Sequence, residues 1–144
     1  MKLITPTHLD AHAPVSDAAV LIVPNDADPR TLNLEGVQRV DLHFPAFTDG
    51  RAYSQAYLLR RRLGFQGDIR ATGDVLADQL PLMARSGFTE ALLRADQDLE
   101  AARRQLSRFP EYYQGDAVQP QPRFARAASA RSAAREAAGV TAAA

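Results

Sequence analysis

The stretch Gly64-Phe65-Gln66-Gly67-Asp68-Ile69-Arg70-Ala71-Thr72-Gly73-Asp74 is followed, 23 or 24 residues later, by a second copy of its plan. Gly87-Phe88 repeats Gly64-Phe65, Arg94-Ala95 repeats Arg70-Ala71, and Asp98 repeats Asp74. Each unit reads as a helix end, a glycine stop, a short strand and an aspartate that starts the next helix. Glycine stops a helix because it enters the left-handed conformation without steric cost. Aspartate starts one because its carboxylate accepts from free N–H groups of the first turn. Consecutive strands joined by a helix are parallel, and such crossovers are right-handed.

The same plan extends outward. Ala19-Val20-Leu21-Ile22-Val23 is a continuous apolar run ending at Pro24 and reads as a strand buried on both faces. Asp28-Pro29 opens a weak helical stretch to Gly36, and Val37 to Phe44 is a second strand. Ala52, Ala56, Leu59 and Leu63 mark one face of a helix over about 51–63, and Arg60, Arg61 and Arg62 read as its solvated end. Asp68 to Thr72 and Ala91 to Arg94 are the next strands, with a helix between them kinked by Pro81. Asp98 starts a helix carrying Leu99, Ala102, Leu106 and Phe109, and Tyr112-Tyr113 starts a fifth, edge strand. The expectation is an α/β domain over residues 1–116 with about four or five parallel strands, an open sheet or half of a barrel. Residues 117–144, with Gln119-Pro120-Gln121-Pro122 and an alanine- and arginine-rich end, read as a flexible tail.

Composition narrows the function. The chain has 144 residues, no cysteine and a formal net charge of zero. Thiolate chemistry, disulfides and Cys-ligated metals are thereby excluded. Residues 1–116 carry a small acidic excess, which argues against nucleic acid as a partner. No apolar run is long enough to span a membrane, and Met1 to Pro6 has no signal-like apolar region, so a cytoplasmic chain is expected. His8-Leu9-Asp10-Ala11-His12 has metal-like side chains but no helix signal to align them, and no metal site is expected. No Gly-rich phosphate loop, dinucleotide fingerprint or nucleophile elbow occurs, so no cofactor is expected.

In parallel α/β folds, ligands bind beyond the carboxyl ends of the strands, where helix N-termini converge. That edge gathers Asp49, Arg51 and Ser54 from one connection, and Arg70, Asp74, Asp78 and Gln79 from the next. Arginines beside helix starts suit a small oxyanion, and the aspartates orient the arginines or simply cap helices.

The segments Phe44-Pro45-Ala46-Phe47-Thr48-Asp49-Gly50-Arg51 and Gly73-Asp74-Val75-Leu76-Ala77-Asp78-Gln79 resemble the bacterial family catalogued as domain of unknown function 934. The likeness covers about residues 19–114. This chain has Pro81-Leu82 where members often have an aromatic pair, and Ser86 where many have cysteine. The family is commonly labelled an oxidoreductase of sulfite reduction, because its genes lie beside those of sulfite or nitrite reductase and adenylyl-sulfate reductase. The resemblance therefore implies an accessory protein of assimilatory sulfate and sulfite reduction, binding a small oxyanion or the reductase. It also leaves open an oxidoreductase with an unrecognised cofactor, or a structural interaction domain that forms a homo-oligomer through an exposed sheet edge.

Overall fold

The computed structural model describes residues 1–6, 19–109 and 112–131. Five parallel strands, β1 (Lys2–Ile4), β2 (Val20–Val23), β3 (Arg39–Phe44), β4 (Asp68–Gly73) and β5 (Glu90–Leu92), form one open sheet. Their order is β1-β5-β4-β3-β2. The helices are α1 (Arg51–Arg61), α2 (Leu80–Ser86) and α3 (Leu99–Ser107). From β2 to β5 every step moves the same way across the sheet. Right-handed crossovers then place α1 and α2 on one face. Burial agrees: Val40, Leu42, Phe44, Ile69, Ala71 and Ala91 pack with Ala52, Ala56, Leu59, Leu80, Met83 and Ala102 in one core.

The fifth strand is not the one expected. Tyr112 and Tyr113 lie outside any strand, and Lys2–Ile4 pairs with β5 instead. Lys2 N–H donates to the Thr89 carbonyl, and Leu93 N–H donates to that of Ile4. Three residues are too few to display a period of two, so the segment carried no strand signal. Likewise β2 is an edge strand rather than a doubly buried one. Val23 is fully buried, whereas Ile22 is 74% exposed.

The face away from the helices is charged. Alternation turns Arg39, Asp41 and His43 of β3 and Arg70 of β4 toward it. Arg39 donates to Asp41 at 2.7 Å, and Arg70 pairs with Glu90 at 2.6 Å with both side chains buried.

Glycine stops and helix starts act partly as read. Gly87 ends α2 with φ of 108°, and the Asp98 carboxylate accepts from Ala101 N–H to start α3. Pro81 does not kink a long helix. It sits in the first turn of α2, where a missing N–H costs no intrahelical bond, and a short 3-10 turn, Ala77–Gln79, precedes it. The stretch after Asp28 forms only the 3-10 turn Pro29–Thr31.

Arg60 is no solvated helix end. Its Nε donates to the Gly87 carbonyl at 2.8 Å, and its Nη1 donates to the carbonyls of Phe65 and Gly67, both at 2.7 Å. One guanidinium thus ties together the chain before β4 and the chain before β5. Gly87 is required beside it, because a Cβ there would collide with Arg60 Cγ. Beyond α3, the buried Ala117 donates its N–H to the Arg85 carbonyl, and residues 123–131 are helical.

Candidate functional site

The carboxyl ends of β3, β4 and β5 carry three connections, each with a carboxylate that binds something outside its own helix. In the β3–α1 connection, Asp49 accepts from Arg51 Nε at 3.0 Å, from Arg51 Nη2 at 2.6 Å and from Asn25 Nδ2 at 2.6 Å. The hydrogen bonds from Arg51 hold the Asp49 carboxyl at about 2, below the usual 3.8. Asp49 does not cap α1 in the ordinary way. Gly50 occupies the cap position, and of the backbone N–H groups of α1 Asp49 accepts only that of Arg51, at 3.2 Å.

After β4, Asp74 reaches across to its neighbours on both sides. Its Oδ2 accepts the Phe47 N–H at 2.7 Å, and its Oδ1 accepts from Arg94 Nη1 at 2.7 Å. Its pKa is lowered, first by the Arg94 hydrogen bond and next by that from Phe47. Arg94 is also doubly bonded to Asp96, with both contacts at 2.7 Å. Those bonds hold the Asp96 carboxyl at about 2 and raise the Arg94 pKa. Asp74 therefore joins the connections after β3, β4 and β5, and starts no helix.

Gln79 completes the tie. It is buried, its Oε1 accepts the Leu76 N–H at 2.9 Å, and its Nε2 faces the Phe47 carbonyl at 3.4 Å. The peptide groups on both sides of Phe47 are thus held from the β4–α2 connection, while the Phe47 ring is 46% exposed. Asp78 is exposed beside this ring cluster. Burial, and then the Asp78 charge, raise the pKa of Tyr53, whose ring packs edge-on against Phe44 at 5.1 Å.

Residues 20–124 match the family described as a bacterial protein of unknown function, DUF934. The chain belongs to that family. Neither the curated proteins nor the solved structures contain a significant match to it. In this DUF934 chain the two segments that carried the resemblance are neighbours in space. Asp74 and Gln79 of the second hold the backbone of Phe47 in the first.

Of the residues expected at this edge, Asp49, Arg51, Asp74, Asp78 and Gln79 sit on it. Ser54 is one turn into α1, exposed, and lines a shallow 330 Å3 groove with Asn25, Arg51 and Gln55. Arg70 does not reach the edge. The pleat of β4 points it to the helix-free face, where Glu90 on the adjacent strand engages it. Arg94 and Asp96, from the connection after β5, belong to the cluster as well.

Gln55 was missed. Its Nε2 donates to the carbonyls of Pro24 and Ala27, both at 2.9 Å, so it secures the connection after β2. Its Oε1 is buried without a hydrogen-bond partner. A polar residue among Ala52, Ala56 and Leu59 on one helix face was the available signal. His8, Asp10 and His12 lie outside the described residues. Among the described residues, no group of three or more His, Asp or Glu side chains is placed to hold a metal ion. No described helix is long and apolar enough to cross a membrane.

Proposed function

We propose that this chain is an accessory protein of assimilatory sulfite reduction that docks on the reductase through the carboxyl edge of its sheet. The pathway rests on the family label and its gene neighbourhood. The choice of docking over oxyanion binding rests on charge. Arg51 is taken up by Asp49, and Arg94 by Asp74 and Asp96. An incoming oxyanion would compete with carboxylates already bonded to both guanidinium groups. With Asp78 added, acidic groups outnumber basic ones along this edge.

The observation that carries the reading is Phe47. Exposed aromatic rings dominate many protein interfaces, and they contribute most where little ordering is left to complete on binding. Phe47 is 46% exposed while its backbone is held on both sides, by Asp74 and by Gln79, on an edge where acidic groups outnumber basic ones. That combination suits a partner surface with an apolar socket and a basic rim.

The experiment sets two titrations side by side. Purified reductase from the same bacterium is expected to bind the chain saturably, with affinity that falls as salt rises. Sulfite alone is expected to act on the melting temperatures of Arg94→Gln and of the parent alike, with no response that depends on Arg94. A saturable sulfite shift that Arg94→Gln removes would overturn docking in favour of an anion site. Absence of any binding to the reductase would overturn the proposed partner.

A further inference from the structure

At the opposite end of the sheet, where α2 runs into β5, the chain folds back and borders a half-open cavity of 340 Å3. Its wall includes Arg85, Tyr112, Gln114, Asp116, Gln119 and Arg126. We propose that this cavity binds the oxyanion head group of a small metabolite, with Arg126 and Arg85 as its charged donors.

Arg126 is the first reason. It lies in the helical residues 123–131, with its N–H bonded to the Pro122 carbonyl. Its Nε is buried and has no hydrogen-bond partner. Among the described residues no carboxylate forms an ion pair with it, whereas Arg30, Arg39, Arg51, Arg70, Arg94 and Arg103 each have one. A guanidinium N–H removed from water without an acceptor is costly. An oxyanion in the cavity supplies the missing acceptor and the missing charge together.

Arg85 is the second. It stacks on the Tyr112 ring, with Cζ 4.3 Å from the centroid. Its bond to Asp116 is long, 3.4 Å through Nε. Asp116 is otherwise occupied, because its Oδ1 accepts the N–H groups of Val118 and Gln119 at 2.9 and 2.7 Å. Two guanidinium groups against one carboxylate, which pairs with Arg85 alone, leave the described residues of the cavity wall with a net positive charge. This is the reverse of the acidic carboxyl edge. The side-chain amides of Gln114 and Gln119 add neutral donors and acceptors on the wall.

Size limits the ligand. Pockets for drug-sized molecules run from about 300 to 1,000 Å3, and this one is near the lower bound. It suits a sulfate, phosphate or carboxylate group on a short body rather than a nucleotide or a peptide. Planar guanidinium forks bind all three head groups in pairs of hydrogen bonds.

The test titrates the full chain with inorganic phosphate, sulfate and acetate, each against chloride at equal ionic strength, with calorimetry and thermal melting as readouts. Saturable binding of at least one of the three is expected. The strongest of them identifies the head group. Arg126→Gln is expected to weaken it by about tenfold or more, and Arg126→Lys less, because a point charge replaces the fork. Arg94→Gln at the other end of the sheet is expected to leave it unchanged. Arg126 makes no side-chain bond among the described residues and its buried Nε is a cost to the fold, so its replacement does not lower the melting temperature of the unliganded protein. Linear, unsaturable responses to all three ions, or an Arg126→Gln protein that binds as the parent does, would overturn the proposal.

Discussion

Replacing Arg60 with methionine removes the clamp between the two connections that enter β4 and β5. Methionine retains most of the aliphatic stem that packs beside Gly87, so the loss is confined to polar bonds. Three carbonyls, those of Phe65, Gly67 and Gly87, lose a charged donor. Hydrogen bonds to charged groups contribute about 1.5–3 kcal/mol each, and neutral ones about 1 kcal/mol. Two features hold the total at the lower end. Burial lowers the Arg60 pKa, so the charge is held at a desolvation cost, and Nη2 is buried without a partner. Water can also reach part of the vacated site. The expected destabilisation is about 3 kcal/mol. For a chain of this size each kcal/mol moves the melting temperature by about 2–4 °C, so a fall of about 6–12 °C is expected. Arg60→Lys, which reaches at most one or two of the carbonyls, should fall between the parent and the methionine variant. Thermal and urea unfolding followed by circular dichroism measure both. A methionine variant that melts within about 1 °C of the parent would refute the clamp.

Gln79→Leu leaves the Leu76 N–H without its acceptor and frees the Phe47 carbonyl. A loss of about 1–3 kcal/mol is expected by urea unfolding, together with weaker reductase binding. Gln79→Glu keeps the acceptor for Leu76 but sets a buried carboxylate oxygen against the Phe47 carbonyl, so it should recover neither the full stability nor the binding. Acid should also weaken the fold in a defined window. Asp49 and Asp96 have folded pKa values of about 2 against an ordinary 3.8. Depressed values favour the folded state above 3.8, and that contribution disappears as pH falls from 3.8 toward 2. Asp96 is exposed and Asp49 only partly buried, so added salt should shrink the effect. An unfolding midpoint flat across that window at low salt would contradict these pairings.

The parallel α/β plan was legible because its punctuation is local. Gly87 and Asp98 stop and start helices through bonds within their own turns, and Val40, Leu42 and Phe44 alternate as a strand should. β1 was not legible, because three residues acquire strand character only from pairing with β5. Ile22 misled because a continuous apolar run looks the same at an edge and in the middle of a sheet. The candidate site was legible as a set of positions and not as a set of bonds. Asp74 resembles a helix start by type, yet its partners are Phe47 and Arg94, 27 and 20 residues away. Arg70 resembles an edge residue by its place in the repeat, but the period-two pleat decides which way it points. Arg60 shows the same limit. Its three partner carbonyls belong to loops whose closeness is set by the sheet, not by the helix that carries it.

The most direct measurement is the dissociation constant of the purified reductase for the parent chain and for Phe47→Ala, under one salt condition. The ring is exposed and makes none of the bonds that hold its loop, so the variant should melt with the parent. Its binding should weaken by about tenfold or more, the usual consequence of truncating an interface aromatic. Equal affinities for two equally stable proteins would contradict docking through this edge.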